Sequence, residues 1–263
     1  MVKLDMIDPQ FNYGNLEHEH YEREGYCFFR HFLTNESLNE CRRGIDRVMT
    51  HLQPGRSPEE VISAHQTGAA WIFALATQPR LLDMIERQIG PNIVLWSTHL
   101  LCKPPHTGIM VPWHQDSPYW NVGGPLAAGV WLPFDDVEEE NGTMEIVPRW
   151  HTRGTLPRQQ TGEKIFAQAI DPTALPSNLD EIKVRYVLKA GQCAIHHTMI
   201  PHNSPPNKSS RWRRVLVLRY MSAAGSMGTK SYEDYRTGAK FDREYYLVRG
   251  KDVANRRLKR QPD

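Results

Sequence analysis

The sequence predicts an α+β fold in which helices come first and a sandwich or barrel of short antiparallel strands follows. Residues 1–90 carry apolar residues at the helical spacings of three and four. Residues 91–221 instead show short runs of branched and aromatic residues between turns rich in proline and glycine. Because no linker or internal repeat divides the 263 residues, we expect one domain over 1–263.

Three signals place helices in the first ninety residues. Apolar residues over 38–52 recur at helical spacing, and Pro54-Gly55 ends that run. The capping box Ser57-Pro58-Glu59-Glu60, with proline at the first helical position, predicts the start of a second helix. A third helix is predicted over 81–89, where Gly90 suits the C-terminal cap.

The strand-rich part, 91–221, is the predicted barrel core. Its predicted strands cover residues 93–103, 129–134, 144–147, 184–188, 192–199 and 212–221. Between the second and third of them, Asn141-Gly142 predicts a hairpin. The basic tail 249–263 holds six Lys or Arg against two Asp, and we expect it to fray in solvent.

Composition argues against several classes of protein. With 32 basic and 30 acidic residues, charge gives no sign of a nucleic-acid partner, and we expect none. The longest apolar run, 69–76, is far shorter than the roughly 20 residues that cross a bilayer. Since the N-terminus also lacks a secretory signal, we expect a cytoplasmic protein without membrane contact. The four cysteines lie far apart, which argues against a zinc ribbon or a disulfide scaffold. Nothing in the sequence indicates an oligomeric state.

The first candidate for chemistry is the pair His114 and Asp116 in His114-Gln115-Asp116. Residues two apart on a strand face the same side, so the imidazole and the carboxylate can reach one point. They would supply two of the three ligands of a 2-His-1-carboxylate facial triad. Alone the pair is a weak signal, because chance supplies about 0.6 such matches in a chain of this composition.

Further blocks occur around this pair in a recognisable order. They are Lys103-Pro104-Pro105, Trp131-Leu132-Pro133-Phe134-Asp135, Gly191-Gln192-Cys193-Ala194-Ile195-His196-His197, His202-Asn203-Ser204-Pro205-Pro206-Asn207 and Arg211-Trp212-Arg213-Arg214. In this order, from about residue 21 to residue 221, the chain closely resembles the phytanoyl-CoA dioxygenase family of iron(II)- and 2-oxoglutarate-dependent oxygenases. The motifs are specific as a set, although each is weak singly.

The resemblance implies a double-stranded β-helix, a jelly-roll or cupin-like barrel, with N-terminal helices packed on it. It also implies an iron(II) site made by His114, Asp116 and a distal histidine. In the family that histidine opens an H-x-S-x-x-N segment, which here begins at His202. The alternative ligand is His197, which we otherwise expect to be a core histidine or one that supports the site.

The resemblance further implies a site for 2-oxoglutarate, whose far carboxylate needs a buried cation. Strand alternation groups Arg213 with Val215, Val217 and Arg219, and Arg213 stands eleven residues after His202, which matches the family. Arg211 and Arg214 are then expected to be solvated or to face a helix.

Three other residues are candidates for contact with 2-oxoglutarate. Ser204 resembles the family's hydroxyl partner of the carboxylate, and Trp131 resembles a tryptophan beside the cosubstrate. His99 stands where relatives commonly carry another residue facing the cosubstrate, and it is either a hydrogen-bond partner of 2-oxoglutarate or a satisfied strand histidine.

The implied activity is hydroxylation of an aliphatic C–H bond in a small-molecule substrate by iron(II), 2-oxoglutarate and O2, with succinate and carbon dioxide as coproducts. Two alternative hypotheses of function stay open: a metal-binding cupin-type isomerase or lyase, and a binding module without activity. Substrate contacts are expected from aromatic residues near one opening: Trp113, Tyr119, Trp120 and either Trp71 or Phe73. Core packing is the alternative for each. We expect a small or medium metabolite, with aminated or zwitterionic compounds among the candidates, rather than a fatty acyl-CoA.

Overall fold

The structure is a computed structural model, and it describes residues 5–117, 122–123, 129–162 and 167–262. Its α-helices in this part of the chain are α1 (Asn15–Glu24), α2 (Asn35–Thr50), α3 (Ala70–Ala76), α4 (Pro79–Ile89) and α5 (Leu179–Ile182). Its strands are β1 (Tyr26–Phe29), β2 (Val61–Ile62), β3 (Ile93–Lys103), β4 (Val111–His114), β5 (Gly129–Pro133), β6 (Glu145–Ile146), β7 (Arg158–Gln160), β8 (Gln168–Ile170), β9 (Val184–Arg185), β10 (Cys193–His196), β11 (His202–Ser204), β12 (Arg213–Ser222), β13 (Ser231–Glu233), β14 (Lys240–Asp242) and β15 (Tyr246–Arg249). None of the described helices is long and apolar enough to cross a membrane.

Helices α2 and α4 confirm two of the predicted helices. The hydroxyl of Thr34 accepts a hydrogen bond from the Ser37 amide at 3.1 Å and caps α2, whose buried face includes Leu38, Cys41 and Ile45. The helix predicted from 57–60 is absent, because these residues form a turn that leads into β2. Within this turn the Ser57 hydroxyl accepts a hydrogen bond from the Glu59 amide at 3.2 Å, and the Glu59 carboxylate accepts one from the Ile109 amide at 2.8 Å.

Two antiparallel sheets carry most of the strands. The larger sheet has the order β1-β10-β5-β12-β3-β15, with β2 also paired to β3, and the smaller sheet has the order β4-β11-β6-β9. On β12, Leu216 and Leu218 pack in the same core as the helices, whereas Val215 and Val217 pack in a second core on the other side. Helices therefore cover one face of the larger sheet and leave its other face for a cavity.

The hairpin predicted at Asn141-Gly142 is wrong. Strand β5 lies in the larger sheet and β6 in the smaller, so the chain crosses between sheets at this turn. The Asn141 side chain holds the turn by donating to the Asp136 carbonyl at 2.7 Å and accepting from the Glu138 amide at 2.8 Å. Gly142 is required here because its φ is 80° and a Cβ would lie 2.4 Å from the Pro205 carbonyl oxygen.

The expected fraying of the basic tail is also wrong over its described residues. Arg249 ends β15, which pairs with β3. Farther along, the Lys259 carbonyl accepts from the Leu247 amide at 2.8 Å, and the Lys259 ammonium lies 2.6 Å from a Glu244 carboxylate oxygen. Leu258 packs against a small core around Leu247. Backbone pairing and this apolar contact hold the tail on the sheet.

The buried ring of His65 makes stability depend on pH. Burial lowers the pKa of His65 to about 3 from an ordinary 6.5, so the unfolded chain takes up the proton first as pH falls. The stabilisation is present above pH 6.5 and is lost progressively between pH 6.5 and pH 3. We expect His65→Phe in metal-free protein to reduce the slope of unfolding free energy against pH by up to about 1.4 kcal/mol per pH unit. Denaturant unfolding at several pH values measures this slope. The exposed His51, changed to Gln, should leave it nearly unchanged, and an equal effect of both substitutions would contradict the prediction.

Candidate active site

A cavity of about 450 Å³ lies between the two sheets, within the range of small-molecule sites. The larger sheet contributes His99, Trp131 and Arg213 to its walls, and the smaller sheet contributes His114 and His202. Residues predicted to bind metal and residues predicted to bind 2-oxoglutarate therefore border one space.

The smaller sheet brings the three predicted metal ligands together. His114 is the last residue of β4 and His202 the first of β11, and the two are paired across the sheet. Asp116 follows β4 by two residues, and one ligand atom from each of the three side chains lies within 4.8 Å of the others. All three residues are buried. Two imidazoles and one carboxylate in this arrangement are the donor set of a facial-triad iron(II) site.

Hydrogen bonds set both imidazoles in the form that binds a metal. The Nδ1 atom of His114 donates to the Pro112 carbonyl at 2.9 Å, and Nδ1 of His202 donates to the Ile200 carbonyl at 3.0 Å. A carbonyl only accepts, so the proton sits on Nδ1 and Nε2 keeps its lone pair. Burial lowers the pKa of His114 to about 3, which keeps this ring neutral. The residues present thus fit an iron(II) ion.

The Asp116 carboxylate stays ionised although it is buried. Burial alone would raise its pKa, but Arg219 and the neighbouring histidines more than offset this and hold the pKa below its ordinary value. One of these neighbours, His196, was not among the predicted site residues: its Nε2 lies 4.0 Å from an Asp116 oxygen, and its ring borders the cavity. His197 does not border the cavity and packs beside His151, which fits the core histidine that was one of its two expected roles.

The cavity wall from the larger sheet carries a buried cation, Arg213. Arg213 is 2% exposed, its Nε has no hydrogen-bond partner among the residues that the structure describes, and burial lowers its pKa to about 10, so it remains a cation. Lys103 is its partner on β3 and donates to the carbonyls of Ile109 at 2.9 Å and Ser204 at 3.0 Å. A buried guanidinium with an unused donor suits a carboxylate ligand, which is what the far end of 2-oxoglutarate offers.

The other three candidates for contact with 2-oxoglutarate also border the cavity. The Trp131 ring centre lies 6.0 Å from the Arg213 guanidinium carbon. The Ser204 hydroxyl donates to the Gly142 carbonyl at 2.9 Å. Nε2 of His99 donates to the Glu59 carbonyl at 2.8 Å, and burial lowers the pKa of His99 to about 3. This neutral ring can therefore accept, but not donate, a hydrogen bond at Nδ1, so its geometry is that of a satisfied strand histidine.

The arginines expected to lie outside the site do so. Arg214 binds Asp135 of the loop after β5 at 2.7 Å and Asp46 of α2 at 2.9 Å, so it faces a helix. Arg211 is exposed and pairs with Glu138 at 2.6 Å.

The aromatic residues that were expected to contact the substrate lie in different parts of the structure. Tyr119 and Trp120 lie outside the described residues. Trp113 is half-buried on β4 and does not border the cavity. Trp71 and Phe73 pack against the core beneath the larger sheet, and the Trp71 ring meets Phe134 edge to face. The structure therefore supports the alternative hypothesis, core packing, for Trp71 and Phe73.

Trp71 packs so closely on Gly44 that alanine there should be harmful. A Cβ at Gly44 would lie 2.6 Å from Cε2 and Nε1 of the indole. Gly→Ala inside a helix normally stabilises by about 0.5–1 kcal/mol, but overpacking should make Gly44→Ala destabilising by roughly 1–3 kcal/mol. Denaturant midpoints measure the change. In a Trp71→Phe background the same substitution should become neutral or stabilising, and stabilisation of the wild type by Gly44→Ala would contradict this packing.

Comparisons with known proteins place the chain among oxygenases of related sequence and fold. A family model described as phytanoyl-CoA dioxygenase (PhyH) matches residues 21–215. The L-proline trans-4-hydroxylase of Streptomyces griseoviridis is 24% identical over 245 residues, covering 83% of this chain and 87% of that protein. A probable alpha-ketoglutarate-dependent hypophosphite dioxygenase of Stutzerimonas stutzeri is 30% identical over 173 residues, covering 63% of this chain and 59% of that protein. The solved apo structure of the non-heme monooxygenase ThoJ superposes with a TM-score of 0.72 at 26% identity, covering 93% of this chain and 88% of that one.

A buried His-Asp-His group that shares one cavity with a buried arginine defines the class of non-haem iron(II)- and 2-oxoglutarate-dependent dioxygenases. Within that class, the chain belongs to the phytanoyl-CoA dioxygenase family, since the family model spans well over half of its length. Membership of this family of oxygenases disfavours the cupin-type isomerase, the lyase and the inactive binding module.

Proposed function

We propose that this dioxygenase hydroxylates an aliphatic C–H bond of a small or medium metabolite. The observation that carries the proposal is that His114, Asp116 and His202 converge on the cavity that Arg213 also borders. Iron(II) held there would supply oxygen activation, with 2-oxoglutarate as the reductant that leaves as succinate and carbon dioxide. The full set of protein ligands, including Asp116, favours hydroxylation over halogenation, which needs the carboxylate's position for a halide.

The residues of the chain bind and orient the reactants. His114 and His202 present unprotonated Nε2 atoms because their Nδ1 protons are held by backbone carbonyls. Arg213 holds the far carboxylate of 2-oxoglutarate through a charge-assisted hydrogen bond, and Trp131 and Ser204 complete that wall. Burial of these groups excludes water, which strengthens each of these electrostatic contacts.

The strand order supports a double-stranded β-helix as the frame of this site. Strands β3, β5, β10 and β12 lie in the larger sheet, and β4, β6, β9 and β11 lie in the smaller. The chain passes repeatedly from one sheet to the other, and the eight strands enclose the cavity. We infer that these eight strands form the jelly-roll barrel and that the β7–β8 hairpin is an insertion.

The size of the cavity favours a compact substrate. About 450 Å³ must hold both 2-oxoglutarate and the substrate, which leaves little room for a coenzyme A thioester inside the barrel. The two relatives named above act, by their names, on L-proline and hypophosphite. Small polar metabolites of this kind are therefore the candidates to test first.

Oxygen labelling tests the proposal directly. Protein reconstituted with iron(II) and 2-oxoglutarate is supplied with ¹⁸O2 and, in separate reactions, with free amino acids, small phosphonates and acyl-CoA esters. We expect one small metabolite to gain a single ¹⁸O atom as a hydroxyl group, with one succinate formed per product. Hydroxylation confined to the acyl-CoA esters would contradict the proposal that the substrate is small. A halogenated or isomerised product without ¹⁸O would contradict the proposal that the reaction is a hydroxylation.

A further inference from the structure

The cavity has a second cationic region, distinct from Arg213. Arg219 faces the cavity from β12, and Lys230, Tyr232 and Arg243 border it from the chain around the β13–β14 hairpin. Six residues of extended strand separate Arg219 from Arg213, about 20 Å along β12. Among the described residues that border the cavity, Asp116 is the only carboxylate. The walls therefore carry an excess of positive charge near the metal ligands as well as at the Arg213 end.

Arg243 is the best-defined cation of this region. It is 8% exposed, and its Nε and Nη2 donate to the Tyr232 hydroxyl at 3.1 and 2.9 Å. Its Nη1 donates to the Tyr245 hydroxyl at 3.3 Å, and its guanidinium carbon lies 4.8 Å from the centre of a Trp96 ring. These partners orient the guanidinium but are all neutral, and no carboxylate of the described residues forms an ion pair with it. A buried charge of this kind is costly unless an anion joins it.

The acidic residues near the hairpin are engaged elsewhere. Glu233 pairs with Arg56 at 3.2 Å, Asp234 with Arg236 at 2.8 Å, and Glu244 with Lys259 at 2.6 Å. Strand alternation explains part of this arrangement, because the neighbours of the buried Tyr232 on β13 point outwards and are exposed. The hairpin thus turns a phenol and a guanidinium toward the cavity and its carboxylates away from it.

Tyr232 and Trp96 add a directional hydrogen-bond donor and an aromatic surface to this region. The Tyr232 oxygen accepts two hydrogen bonds from Arg243, so its own O–H proton is left to be donated to a ligand. Trp96 borders the cavity although the alternation of β3 would place only Ser97, His99 and Leu101 there. A β-bulge between β3 and β12 at this point redirects it. A ligand here meets a cation, a hydroxyl donor and an aromatic wall.

We propose that Arg243, with Lys230, Tyr232 and Arg219, binds an oxyanion group of the prime substrate, a carboxylate or a phosphonate. This inference rests on the proposed function, since it assigns the substrate's anionic group to the part of the cavity that lies away from Arg213. It narrows the substrate class: among aminated compounds a zwitterion with its own carboxylate fits, and a cation without an anionic group does not.

The inference is tested by binding, without turnover. Protein loaded with redox-inactive zinc(II) and saturated with 2-oxoglutarate is titrated calorimetrically with propanoate, ethylphosphonate and propanamide, which all carry an ethyl group. We expect at least one of the two anions to bind and the amide not to bind. Arg243→Gln should weaken that binding at least about tenfold, and Arg243→Lys should restore part of it.

Arg236→Gln is the matched control, since Arg236 belongs to the same hairpin but pairs with Asp234 outside the cavity. It should leave anion binding unchanged. If Arg243→Gln fails to fold, Tyr232→Phe, which removes one donor, supplies the same comparison. Binding of the amide as tightly as the anions, no binding of either anion, or equal loss in Arg236→Gln and Arg243→Gln would overturn the inference. Because the zinc(II) protein does not turn over, this result is independent of succinate formation, which tests the proposed function.

Discussion

Alanine at His114, Asp116 or His202 is expected to abolish iron-dependent turnover while leaving the protein folded. Each substitution removes one of three converging donors, and the remaining two no longer hold iron(II) against water. The expected loss is several orders of magnitude in rate, and bound iron after gel filtration should fall to a small fraction of the wild-type content. Circular dichroism and the unfolding midpoint check that the fold persists.

The informative control for this experiment is His197→Ala. His197 precedes His202 by five residues and was the alternative distal ligand, but its ring packs beside His151 instead of joining the metal ligands. We expect His197→Ala to keep its iron. Full iron content in His202→Ala together with loss of iron in His197→Ala would show that the distal ligand has been assigned to the wrong histidine.

Arg213→Ala is expected to raise the concentration of 2-oxoglutarate needed for half-maximal rate by about 30-fold or more. The truncation leaves a buried carboxylate without its charge-assisted partner, which costs roughly 2–5 kcal/mol. The maximal rate at saturating 2-oxoglutarate should change much less, because the proposed role of Arg213 is to bind the far carboxylate of the cosubstrate and not its reacting end. Initial rates of succinate formation over a range of 2-oxoglutarate concentrations separate the two parameters.

Arg214→Ala is the control for that measurement. Its guanidinium binds Asp135 and Asp46 on the other face of β12, so the substitution should lower stability without changing the 2-oxoglutarate requirement. Equal shifts in both variants, or a larger shift in Arg214→Ala, would refute the assignment of the inward face of β12.

Local pattern was sufficient to group His114 with Asp116 and to assign the inward face of β12. His114 and Asp116 could be paired because they are two residues apart, although β4 ends at His114 and Asp116 lies just beyond the strand. Strand alternation grouped Arg213 with Val215, Val217 and Arg219. Strand β3 was predicted with its observed bounds, 93–103, because branched and aromatic residues run through its whole length. The distal His202 required the order of family motifs, since its pairing with His114 joins residues far apart in sequence.

The failures share one physical cause, which is that long-range partners decided the structure. Asn141-Gly142 does form a tight turn, but the turn alone does not determine which sheet each flanking strand joins. Around residues 57–60 the capping-box pattern does not start a helix: the chain turns there, and the Glu59 carboxylate accepts a hydrogen bond from the amide of Ile109, fifty residues away. Lys230 and Arg243, which flank the β13–β14 hairpin, gave no apolar pattern to detect, and the orientation of Arg243 depends on Trp96 in a distant strand. His196 could have been found by asking which face of β10 looks inward.

Succinate formation by the purified protein, with iron(II), 2-oxoglutarate and O2 but no prime substrate, tests the central claim most directly. Slow turnover of this kind should yield one succinate per 2-oxoglutarate consumed, require both iron(II) and O2, and disappear in the His202→Ala variant. A protein that retains iron at the His114, Asp116 and His202 site yet forms no succinate, or succinate that persists after iron is chelated, would contradict the account.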